Sequence, residues 1–116
     1  MSTFLLVVTI AAIVANTAIA TADLRRAPFV VANSREVNVP ESWLPVLATL
    51  KLAASAGLLL GILGVPRIGV AAAIGLVLFY TGAIIVHMKA GVFHNIAFPG
   101  AFFLLAVGSV AGVAAS

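Results

Sequence analysis

The stretch LPVLATLKLAASAGLLLGILG, Leu44 to Gly64, decides the fold. It is a run of apolar and small side chains with a single charge, Lys51, long enough to cross a hydrocarbon layer that takes about 20 apolar residues in a helix. Its start reads as a helix entering a membrane. Ser42 is a candidate N-cap, Trp43 suits headgroup depth, and Pro45 falls in the first turn, where a missing N–H costs nothing. Its end is a breaker, Gly64-Val65-Pro66-Arg67.

Three similar windows flank this one. The first covers about residues 3–23 and stops where Asp23, Arg25 and Arg26 would be costly in hydrocarbon. The third covers about 68–89 and is closed by Lys89-Ala90-Gly91; the fourth covers about 95–115, opening at His94-Asn95 with Pro99 in its first turns. With the central segment at about 43–64 they take up most of the 116 residues, and a mean hydropathy of +1.29 with 8% charged residues is far from a soluble composition. The first segment lacks a basic leader and is long for a signal peptide, so it is expected to persist as a helix despite the small residues Ala20-Thr21-Ala22.

Ala27 to Ser42 mixes Phe29, Val30 and Val31 with Asn33, Arg35 and Glu36 between two prolines. It is too short to span and too apolar for a free linker, which predicts a short interfacial helix. Short connections make sequence neighbours antiparallel. The expected fold is therefore all-α: one transmembrane domain over residues 1–116, an integral membrane up-and-down four-helix bundle with a short interfacial helix between helices 1 and 2. Small residues at helical spacing mark seams: Ala53, Gly57 and Gly61; Gly75 and Gly82; Gly108 and Gly112. Arg25, Arg26, Arg35 and Lys89 lie in loops one and three, against Arg67 alone on the other side. That bias predicts loops one and three in the cytoplasm of a bacterial plasma membrane, with both termini outside.

The polar residues inside the spans carry the functional reading. Thr9, Asn16 and Asp23 recur every seven residues, and Tyr80 and His87 share a face of segment three, with His87 in its last turn. Lys51 enters segment two from the same side. An ionisable group in a membrane helix costs about 2.5–3.5 kcal/mol at the centre and turns inward to a partner; a lysine near an interface has the alternative of snorkelling outward. These positions predict a polar pocket in one membrane half, open toward loops one and three and holding Asn16, Lys51, Tyr80 and His87. No metal site is expected, since His87 and His94 flank a hairpin without HxxxH spacing and the chain has no cysteine. No basic patch with interleaved aromatics points to nucleic acid, and no P-loop points to an ATP-driven pump.

Val39-Pro40-Glu41-Ser42-Trp43-Leu44-Pro45, Leu50-Lys51-Leu52-Ala53-Ala54, Gly82 to Lys89 (GAIIVHMK) and His94-Asn95-Ile96-Ala97-Phe98-Pro99 together resemble the bacterial DoxX-like proteins, over nearly the whole chain. The resemblance implies a four-helix membrane protein, and Lys51 and His87 match places where that family commonly carries a charge and a histidine. Relatives include subunits of thiosulfate:quinone oxidoreductase and of a membrane-associated oxidoreductase complex. The resemblance therefore suggests an accessory subunit of a quinone-linked membrane redox system, with a quinone as candidate cofactor; thiosulfate as a substrate does not carry over. The alternatives are a structural or assembly subunit of a larger complex, and a carrier of lipid or another hydrophobic molecule. One lysine, one tyrosine and one histidine without a positioned acid–base pair favour an accessory role over catalysis, and no catalytic residue is assigned. The expected partners are the bilayer and either other membrane subunits or further copies of the chain.

Overall fold

The computed structural model describes residues 1–115, so the last residue of the expected domain lies outside the described residues. Four long apolar helices make the body: α1 (Thr3–Leu24), α3 (Leu44–Ile62), α4 (Pro66–Lys89) and α5 (Ala97–Ala114). The short α2 (Pro28–Glu36) and a 3-10 turn (Glu41–Trp43) connect α1 to α3. Each spanning helix packs on its sequence neighbour and α5 closes the ring on α1, which leaves α1 and α4 diagonal. This is an up-and-down bundle, and its outward side chains, such as Phe4, Val14, Leu63, Leu78 and Leu104, are aliphatic or aromatic and well exposed. Such a surface suits lipid.

Helix ends follow local chemistry. The Ser2 hydroxyl accepts from the Leu5 N–H at 3.1 Å and caps α1. Pro28 and Pro66 open α2 and α4, so the Pro66 breaker that ends one span also starts the next. Gly64 and Gly91 take positive φ just past α3 and α4, where glycine carries no Cβ penalty. Arg26 and Asn38 adopt the same left-handed backbone past α1 and α2.

Ser42 does not act as the expected N-cap. The 3-10 turn already occupies the first amides, with Trp43 N–H donating to the Pro40 carbonyl at 3.0 Å, and α3 begins at Leu44 with no side-chain cap.

Glycine fixes two of the seams. A Cβ on Gly61 would stand 2.7 Å from the Gly69 Cα, so α3 and α4 meet backbone to backbone there. On the opposite seam, Cβ atoms on Gly108 and Gly112 would meet Val8 Cγ1 at 2.6 Å and Thr9 Oγ1 at 2.7 Å. The expected stripe of Gly75 and Gly82 behaves differently: a Cβ at either would meet nothing within 4 Å, because these glycines face outward from the α3–α4 seam. Ala53 is likewise exposed while Gly57 is buried, since a four-residue step rotates the stripe off the contact line. Gly61→Leu is expected to lower stability by about 1–3 kcal/mol or more through overpacking against backbone. Gly75→Ala should leave stability unchanged or raise it by up to about 1 kcal/mol. Thermal unfolding of the two variants in one detergent checks the contrast.

Candidate functional site

The end of the bundle formed by loops one and three is not close-packed. A cavity of about 550 Å³ opens there between α3 and α4, roofed by α2 and the start of α5. Most of its wall is apolar, including Leu44, Leu47, Val86 and the rings of Phe29, Trp43, Phe79 and Phe98. Val30 holds α2 in place by packing with Ile19 and Leu44. Ser34, whose hydroxyl donates to the Val39 carbonyl at 2.6 Å, ties α2 to the chain that returns to α3.

The polar groups gather at two poles. At the first, Lys51 on α3 reaches Asp23 in the last turn of α1, Nζ to Oδ2 at 2.8 Å, with side chains 9% and 4% exposed. Lys51 does not snorkel. It lies about 10 Å into α3 from Leu44 by helical rise, and a carboxylate comes down to meet it. The ammonium also sits 5.2 Å from the Phe79 ring centroid, within cation–π range. One N–H goes to Asp23, and two remain for a ligand or for water.

At the second pole, His87 in the last turn of α4 is 3% exposed. Its Nδ1 is 2.7 Å from the Ala83 carbonyl oxygen, which can only accept, so Nδ1 carries a proton. Its Nε2 is 3.2 Å from Asn33 Oδ1 on α2, and the Asn95 Nδ2 donates to the same oxygen at 2.9 Å. The Asn95 Oδ1 is buried with no hydrogen-bond partner. These contacts make a relay with two self-consistent states. As placed, the Asn33 oxygen faces both His87 Nε2 and the Asn95 amide nitrogen, and Asn95 presents a bare acceptor. Turning both amides end for end keeps the Asn33–Asn95 bond, gives Nε2 an N–H to accept from, and has Asn95 present N–H instead of oxygen.

Three of the four residues singled out in the sequence, Lys51, Tyr80 and His87, line this cavity together. Asn16 does not. It lies behind Tyr80, 1% exposed, where its Oδ1 accepts from the Tyr80 hydroxyl at 2.5 Å while its Nδ2 donates to the Ala12 carbonyl at 2.8 Å. Tyr80 crosses the bundle axis to make this bond, so its proton is already committed and the hydroxyl can only accept from a ligand. His94 points the other way, 66% exposed and 3.4 Å from Glu36, and does not approach His87 as a hairpin partner.

The expected pocket left out Asp23, Asn33 and Asn95. Asp23 shares the heptad face of Thr9 and Asn16, which was its available signal; Asn33 had none, because its position depends on how α2 folds back.

Fold and cavity define a small multi-pass helical membrane protein with an amphipathic chamber in one half of its bundle. The chain belongs to the DoxX-like family, whose model matches residues 7–109. No curated protein and no solved structure matches it.

Breaking a buried ion pair from one side leaves an uncompensated charge, at a cost of about 3–5 kcal/mol. Asp23→Asn and Lys51→Met are each expected to destabilise by that order, while the double variant Asp23→Asn/Lys51→Met recovers most of the loss. A double-mutant cycle by thermal unfolding in detergent reads the coupling, and additive losses would show that the two side chains act separately.

Proposed function

We propose that the chamber binds the headgroup of a quinone or a chemically similar ring, and that the chain serves as an accessory subunit of a quinone-linked redox system in a bacterial inner membrane. One observation carries this reading: hydrogen-bonding groups stand at two separate poles of a cavity whose walls are otherwise apolar and aromatic. A quinone ring presents a carbonyl acceptor at each end and two flat faces between them. Lys51 retains N–H groups for one carbonyl, the Asn95 amide in its N–H-presenting state serves the other, and Phe79, Trp43 and Phe98 offer surfaces for the faces. The two orientations of the Asn33–Asn95 pair would offer N–H to a carbonyl or an acceptor to the hydroxyl of a reduced ring.

The glycine seams bear on the assembly alternative. Gly61, Gly69, Gly108 and Gly112 are consumed in packing within the chain, so they offer no free surface to another helix. We place loops one and three on the cytoplasmic side because Arg25, Arg26, Arg35 and Lys89 cluster there.

Trp43 is the only tryptophan in the chain and lines the chamber, so its fluorescence reports on the site directly. A tail-free benzoquinone is expected to quench it saturably in the wild type. In Asp23→Asn/Lys51→Met/Asn95→Leu, which removes the ligand-facing group at each pole without stranding a charge, only linear collisional quenching should remain; saturable quenching in a folded triple variant would end the proposal. The absence of cysteine makes topology directly measurable. A thiol at Ser42→Cys should react with an impermeant reagent only from the cytoplasmic side, and one at Val65→Cys only from the outside.

A further inference from the structure

A second hollow runs down the outside of the α3–α4 seam from the chamber. Its volume is about 390 Å³, and its lining includes Leu50, Ala53 and Gly57 from α3 and Ala71, Gly75 and Phe79 from α4. Leu50 and Phe79 line the chamber as well, so the two spaces adjoin. The chamber has Lys51, Asp23 and His87 in its wall; the hollow is lined by hydrocarbon alone.

We infer that this hollow is the seat of the apolar tail of the same ligand whose headgroup occupies the chamber, so that the chain recognises a long-tailed amphiphile rather than a free ring. The inference rests on the ligand-binding reading of the chamber, and its own support is geometric. Along α4 the hollow extends from Ile68 to Phe79, about 16 Å at helical rise. A volume of about 390 Å³ over that length gives a section of about 24 Å². A single hydrocarbon chain fits along a groove of that length and section.

Gly75 and Gly82 account for the track remaining open. A Cβ at either would point into empty space, so no packing demand explains the missing side chains, and each weakens a helix by roughly 0.5–1 kcal/mol against alanine. Gly82 lies at the lip of the chamber and Gly75 lies on the bed of the hollow. Adjacency to the chamber points to the same occupant. A tail joined to a ring beside Lys51 meets Phe79 first, and below it the groove runs on toward the other membrane face. Chamber and hollow together follow α4 from His87 to Ile68, about 28 Å, close to the hydrocarbon thickness of about 30 Å.

The test uses the full-length protein in nanodiscs with a benzoquinone whose saturated tail ends in a diazirine, and locates the photo-adduct by mass spectrometry. Adducts are expected on the Ala53–Gly57 and Ala71–Gly75 stretches. Gly75→Leu, which fills the bed where there is room, should abolish those adducts while leaving Trp43 quenching by the tail-free quinone unchanged; Leu104→Phe, on the lipid face of α5, should change neither. Should Gly75→Leu fail to fold, Ala71→Leu at the exposed edge of the same hollow replaces it.

Adducts scattered over α1 and α5, adducts indifferent to the filling variants, or adducts joining two copies of the chain would each overturn the inference. Loss of tail-free quenching together with intact groove adducts would instead remove the headgroup reading and keep the groove, and loss of both would remove the two together.

Discussion

Hydrocarbon does not solvate an ammonium ion, and the arrangement at the loop-one end follows from where Lys51 finds its counter-charge. The partner is Asp23, 28 positions earlier in the chain and 2.8 Å away. To make that contact, α1 must end at the depth where Lys51 enters, α1 and α3 must be neighbours, and both side chains must face the inside. Of these requirements only the depth is local. The pair therefore joins the end of the first span to the body of the second and leaves α2 to cross above them. Buried pairs of this kind add little net stability compared with apolar packing; their value lies in penalising every arrangement that separates them.

The far half of the bundle obeys a different rule. Close approach of backbones replaces charge pairing, with Gly61 against Gly69 on one seam and Gly108 and Gly112 against Val8 and Thr9 on the other. Leu58, Leu76 and Val113 fill the axis and are essentially inaccessible. The molecule thus has one end made rigid by dispersion contacts and one end held apart by polar pairs around a space. With such a division, local opening at one end need not disturb packing at the other.

Much of the fold was readable because hydrophobic length and breaker residues act locally. The charges at Asp23, Arg25 and Arg26, Gly64 through Arg67, and Lys89 through Gly91 each mark a place where a helix leaves lipid. The inward faces of α1 and α4 were readable from seven-residue spacing, which brought out Asn16, Tyr80 and His87. What the sequence concealed depends on relations between helices. Asn33 sits in a segment with no clean periodicity and gains its place only when Val30 docks on Ile19 and Leu44. Gly75 and Gly82 were read as a seam yet stand clear, while Gly69, which that spacing did not bring out, is pressed against α3, a distinction set by helix rotation rather than by residue type. Ser42 had the right identity for a cap and was displaced by a 3-10 turn that already satisfied the amides.

Tyr80, reaching across the axis to Asn16, has a bearing on traffic through the membrane. With its ring wedged beneath the chamber and sealed layers of Ala12, Ala73 and Ala106 in the same buried cluster, the polar space is a blind alley. Asp23, Lys51 and His87 all stand on the loop-one side of that packing, so none of these charges continues a polar line to the opposite compartment.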